Sequence, residues 1–274
     1  MSGNISTRDV LAKNILNKSG IPGMTYCINP YTGCSHGCIY CYATFMKDYS
    51  GHTEEWGEFV DAKINLPELL SKEVKKKKVG RVCIGTVADS YQPLEQEKKI
   101  TRRAIEILTQ NNFPFEILTK SSLLLRDIDL LKDNGRCSVE MSITTLDESI
   151  RKVFEPNADT VSNRLKAVKT LVSAGIPTTV FFGPVIPYFS DNRSALNEIF
   201  DTFESTGVKR VLVDKLNYFN KKLPLILSKI KNGYPPAITY YEIISKNLRA
   251  YELQLKQRIL DIAKNKSISI EVLF

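Results

Sequence analysis

From Arg81 onward, short β-branched apolar runs alternate with longer amphipathic stretches. The runs RVCIG, FEILT, SVEMSI, TTVFFG and RVLVD read as strands. The stretches between them (ITRRAIEILTQN, SLLLRDIDLLKDN, VSNRLKAVKTLVSAG and RSALNEIFDTFESTG) carry apolar residues at three- and four-residue spacing and read as helices. Gly175 and Gly207 stand where C-terminal caps close two of these helices before the next strand. Such alternation specifies parallel strands joined by right-handed crossovers. With a further strand at residues 24–28, the pattern predicts an α/β fold, a partial (β/α)6 barrel of TIM type with too few units to close. One long helix is expected over residues 239–264, and SISIEVLF reads as a last strand or edge segment. The chain then divides into an N-terminal extension (1–23), the partial barrel (24–220) and a C-terminal helical extension packed on it (221–274).

At 274 residues, with 43% hydrophobic and 25% charged, the chain suits one folded domain and excludes the disordered and collagen-like classes. It has no apolar run of membrane-spanning length, and MSGNISTRDV lacks the apolar core of a secretory signal, so a cytoplasmic protein without membrane contact is expected. The formal charge of +8 permits a polyanionic partner without requiring one. The densest basic run, Lys75 to Lys78, reads as a solvated helix end.

Six cysteines are too sparse for a disulfide scaffold, and their clustering points to metal or catalysis in a reducing compartment. Cys83 and Cys137 fall in buried strands and, with Cys27, read as packing residues. The other three, Cys34, Cys38 and Cys41, form C-x3-C-x2-C within NPYTGCSHGCIYCYA. Loop thiolates so spaced converge on zinc or on an iron–sulfur cluster. Zinc would need a fourth ligand from His36, His52 or Cys27, giving a closed structural site of three cysteines with a histidine, or of four cysteines, in a non-catalytic metalloprotein. A cubane held by three cysteines instead keeps one iron open.

Polar residues recur just past the strand ends, where a β/α barrel gathers its active site: Asp89, Lys120, Ser142 and Thr144. The first three have plainer alternatives. Asp89 is placed to cap a helix, Lys120 to be a loop charge, and Ser142 to bond local backbone. Asp214 and Lys215, past the sixth strand, read as substrate contacts or as surface charges, and His36 as a turn residue or a support behind the metal ligands rather than a ligand itself. Glu155 and Arg164 are as well placed to pair with each other as with a ligand.

The cysteine spacing, with Tyr40 just before the third thiol, resembles the signature of radical S-adenosylmethionine (SAM) enzymes. Within that superfamily, NPYTGCSHGCIYCYA, GTVADSYQPLEQEKKITRRAIEIL, ILTKSSLLLRDIDLL, VEMSITTLDESIRKVFEP and RLKAVKTLVSAGIP resemble the group related to spore photoproduct lyase, also called DNA repair photolyase-like. The resemblance implies that Cys34, Cys38 and Cys41 ligate a [4Fe-4S] cluster whose open iron takes SAM. It implies further that Asp89 meets the methionine ammonium, Lys120 its carboxylate, and Ser142 the methionine or ribose. Thr144 joins this cofactor-binding set, Tyr40 packs near the adenine, and residues 183–187 offer backbone contacts to it. An electron donor of flavodoxin or ferredoxin type would supply the electron that cleaves SAM to a 5′-deoxyadenosyl radical, in a lyase-like reaction. Val87 stands where the lyases carry a hydrogen-donating cysteine, which argues against thymine-dimer reversal. The substrate is left as a nucleic acid, a nucleotide or another molecule. Tyr91, Tyr188, Tyr218 and Phe219 are candidates to stack on a base or to pack the rim.

Overall fold

The structure is a computed structural model that describes residues 5–132 and 134–274. Residues 1–4 of the N-terminal extension, and Asp133 within SLLLRDIDLLKDN, lie outside the described residues. Six parallel strands form the barrel wall in sequence order: β3 (Tyr26–Ile28), β6 (Val82–Ile84), β7 (Phe115–Thr119), β8 (Cys137–Ser142), β9 (Thr178–Phe182) and β10 (Arg210–Val213). β2 (Asn17–Lys18) runs antiparallel to β3 at one edge. At the other edge β11 (Ser269–Val272) pairs in parallel with β10, so SISIEVLF adds a seventh parallel strand to the same sheet.

A smaller sheet joins β1 (Ser6–Val10) to β5 (Phe59–Lys63) in parallel, with β4 (Tyr31–Thr32) antiparallel on the far side of β5. The segment expected as an extension is thereby hydrogen-bonded to the strand that follows the cysteine loop.

Period-two alternation separates the two faces of the large sheet. Ile28, Ile84, Ile117 and Val139 stand in register and are wholly buried, as the helix-covered face of a parallel sheet requires. The opposite, concave face carries Cys27, Cys83, Glu116 and Ser138 in one row, then Leu118, Glu140, Thr179 and Arg210 in the next. The inner face of an unclosed barrel is thus partly polar, and the ends of its strands open on the site.

The helices between strands include α1 (Leu66–Glu73), α2 (Glu95–Lys98), α3 (Ile100–Gln110), α4 (Ile128–Leu131), α5 (Glu148–Phe154), α6 (Val161–Ser173) and α7 (Arg193–Ser205). Gly175 and Gly207 follow α6 and α7 at φ +74° and +83°, the left-handed geometry of a C-terminal cap. Two expectations are corrected. SLLLRDIDLLKDN forms a 3-10 helix (Ser122–Asp127) and the single turn α4, because Asp127 is drawn inward by Arg126, Arg102 and Tyr91. The long helix expected over 239–264 is two, α9 (Pro235–Lys246) and α10 (Leu248–Ala263). Asn247 leaves helical geometry between them, and its side chain accepts from Ala250 N to cap α10. Before them α8 (Phe219–Ile230) packs on α9 and α5.

Candidate cofactor site

The cysteine loop begins at β4 and ends in a 3-10 helix (Tyr42–Tyr49). Gly33 opens it at φ +80°, and a Cβ there would lie 2.4 Å from the Phe59 carbonyl oxygen, so only glycine fits. Buried Gln92 then pins the loop backbone: Ser35 N donates to its Oε1 (2.8 Å), and its Nε2 donates to Gly33 O (3.3 Å). Asn157, beyond α5, donates from Nδ2 to Ser35 O (3.0 Å) and from its backbone N to His36 O (3.2 Å). A loop with few repetitive hydrogen bonds of its own is thus held from two sides.

The loop closes one wall of a cleft of about 920 Å³, its open mouth included. Cys34, Cys38 and Cys41 line it together with Tyr40, Asp89, Lys120 and Ser142, which come from the loop itself and from the ends of β6, β7 and β8. Gly183 and Pro184 after β9, and Asp214, Lys215 and Asn217 after β10, complete it. Seven of the eight residues expected at the site therefore share one cleft. Thr144 sits behind the wall, where its hydroxyl donates to Glu155 Oε1 (3.0 Å).

Burial pushes the Cys34 thiol up to about 12, with the Asp89 charge adding to it. Burial also raises Cys38 and Cys41. The surrounding protein favours the protonated thiols, so thiolates form here only when a metal competes for the protons.

Asp89 is strongly engaged. Its Oδ1 accepts from Tyr91 N (2.9 Å) and Thr119 Oγ1 (2.7 Å), and its Oδ2 from Lys120 N (2.7 Å). The His36 Nδ1 lies 3.4 Å from Oδ2 without forming a hydrogen bond. Burial lowers the His36 pKa against the opposing pull of Asp89, which favours the neutral ring. Asp89 thus joins the β6 loop to the end of β7 and leaves about one lone pair toward the cleft.

Lys120 Nζ stands 5.8 Å from the centre of the Tyr40 ring. Burial opposes its charge, but Cys38, Glu155 and Asp89 outweigh burial and raise its pKa. Behind Tyr40, the Tyr40 hydroxyl donates to Glu155, and Arg164 Nη2 lies 2.6 Å from Glu155 Oε2. Burial would raise the Glu155 pKa, yet Arg164, Lys120 and the Tyr40 hydroxyl together hold it at about 2. Arg164 also donates to Ser142 O (3.1 Å) and Asp159 O (2.9 Å). Glu155 and Arg164 accordingly pair with each other and brace the wall that carries Tyr40 and Ser142. Ser142 Oγ itself is buried without a hydrogen-bond partner, at the face of the cleft.

Among the stacking candidates, Tyr91 is buried and donates to Asp127 Oδ2 (3.0 Å), and Phe219 is buried against Tyr241 with centroids 5.8 Å apart. Both are packing residues; Tyr188 and Tyr218 remain exposed. His52, once a possible zinc ligand, bonds Glu54 (3.0 Å) and Asp61 (2.8 Å) and does not line the cleft. Sequence reasoning missed Gln92, Asn157 and Trp56, and their types and positions gave no signal. Trp56 lines the cleft from the loop before β5.

The profile of the radical SAM superfamily matches residues 28–201, and the chain belongs to that superfamily. It is similar to an uncharacterised protein of Methanocaldococcus jannaschii, 32% identical over 99% of this chain and 98% of that protein. A radical SAM Nα-GlyT isomerase of Pseudomonas phage M6 is 21% identical over 77% of this chain and 43% of its own length. In fold, the chain is similar to a spore photoproduct lyase mutant with bound AdoMet and dinucleoside spore photoproduct, with a TM-score of 0.72, 14% identity and coverage of 100% of this chain and 82% of that one. It is also similar to Streptococcus suis SuiB bound to SAM, with a TM-score of 0.61, 15% identity and coverage of 90% and 50%. The superfamily uses a [4Fe-4S] cluster and SAM. Three thiols, a lysine and an orphaned hydroxyl lining one cleft form a donor set that fits both.

Proposed function

We propose that this chain is a radical SAM enzyme in which Cys34, Cys38 and Cys41 hold the cluster and the cleft beside them takes SAM. The observation that carries this reading is the convergence of those thiols with Lys120 and the unpartnered Ser142 hydroxyl on one cleft. When bound, the reduced cluster and SAM supply a 5′-deoxyadenosyl radical that abstracts hydrogen from a substrate.

The chain's own residues bind, orient and exclude water. Lys120, with no carboxylate within ion-pair distance among the described residues, binds the methionine carboxylate. The remaining lone pair of Asp89 accepts from the ammonium, and Ser142 Oγ gains the partner it lacks. Tyr40, fixed through Glu155 and Arg164, holds the wall on which the cofactor rests. Apolar Val87, Ala88, Leu118, Phe181 and Pro184 line the remainder and keep water from the reacting centre.

The substrate enters at the Asp214, Lys215 and Asn217 end. A nucleotide or nucleic acid is the class we favour, supported by the net charge of +8 and by the dinucleoside photoproduct bound to the lyase of similar fold. Val87 stands where the resemblance places the lyases' hydrogen-donating cysteine, so thymine-dimer reversal is not the reaction we favour. Incubating the anaerobically purified protein with dithionite and SAM tests the reading. It should yield 5′-deoxyadenosine and methionine, and Cys38→Ala should yield neither; a wild-type protein with intact iron that makes neither would refute it.

A further inference from the structure

α8 lies beyond the residues matched by the superfamily profile, yet it sends one cation back toward the cysteine loop. Lys222 is buried, at 8% exposure, and its Nζ donates to Thr44 Oγ1 (2.8 Å), three residues after Cys41. No carboxylate lies within ion-pair distance of it among the described residues. A partly buried ammonium with three donors, one neutral acceptor and no counter-charge loses part of its hydration, a cost that a negative charge forming nearby would repay. Burial lowers its pKa, so the fold works against this charge. No other role is visible: Lys222 is absent from the cleft lining and touches no part of the SAM-binding set.

We propose that Lys222 is the counter-charge of the iron–sulfur cluster: a fixed cation on the Cys41 side that favours the reduced, more negative form. The inference rests on the reading of Cys34, Cys38 and Cys41 as cluster ligands. Lys222 is a positioning residue acting through charge, since it does not line the cleft. The electrostatic step is simple: one electron added to the cluster is stabilised by a nearby positive charge in a poorly solvated setting and is less stable without it.

The test is the midpoint potential of the bound cluster, read by EPR in a redox titration of the anaerobic holoprotein without SAM. Lys222→Met and Lys222→Gln should each keep the wild-type iron content and make the cluster about tenfold harder to reduce, about 59 mV more negative for one electron. Lys222→Arg should stay close to wild type. Thr44→Val, which removes the anchor and leaves the charge, should move the potential less than Lys222→Met does. A purely structural lysine would alter thermal stability in these variants and leave the potential in place. Unchanged potentials in both neutral variants would overturn the proposal while leaving the cluster assignment standing. A wild-type protein that binds no iron would overturn the cluster assignment itself.

Discussion

Lys120 and Glu140 show how one partly buried charge acts inside and outside the site. Replacing Lys120 with Ala should weaken SAM binding by about tenfold or more, the usual worth of a charge-assisted hydrogen bond, and leave iron content intact. Equilibrium dialysis with labelled SAM checks this, and unchanged affinity would remove Lys120 from the site. Glu140 lies on the concave sheet face, where burial first and the Glu116 charge second raise its pKa to about 7 from 4.5. Because the folded-state value is the higher one, folding favours the protonated acid. The penalty is absent below about pH 4.5 and complete above about pH 7, so this group removes stability as pH rises. Glu140→Gln should therefore match wild type near pH 4 and exceed it by about 1 to 2 kcal/mol at pH 8, with partial exposure screening part of the full cost. Urea unfolding at the two pH values measures the difference. Asp89, Lys120 and Ser142 were legible because each stands just past an apolar run. Lys222 was not, since its partner Thr44 lies 178 positions away and no local pattern joins them.

At the scale of elements, boundaries depend on single polar residues. Asn247 breaks what apolar spacing reads as one helix, and Asn247→Ala should cost about 1 kcal/mol by uncapping α10. Chemical denaturation reports it, and a neutral result would make the break a consequence of tertiary packing. The six barrel strands could be read because each is a short run rich in β-branched or aromatic residues that follows a Gly or Pro. β1 and β5 could not. STRDV carries three exposed residues, and FVDAK holds a buried Asp61 that His52 compensates, so neither shows the alternation of a half-buried strand. The same limit applies to Glu155 and Arg164, whose pairing depends on α5 and α6 meeting behind Tyr40.

At the scale of the molecule, a barrel left open on its concave side brings strand ends and the cysteine loop onto one cleft. No helix among the described residues is long and apolar enough to cross a membrane. The fold class follows from strand–helix alternation alone, whereas the closing of the small sheet over the loop depends on pairing between distant segments. On the function proposed above, three thiolates bind the cluster and one iron stays free to take SAM. EPR of the dithionite-reduced holoprotein, recorded before and after SAM is added, examines that iron directly. The spectrum should be that of a single [4Fe-4S] cluster and should change on adding SAM. A colourless protein holding one zinc ion, or a cluster signal indifferent to SAM, would contradict the account.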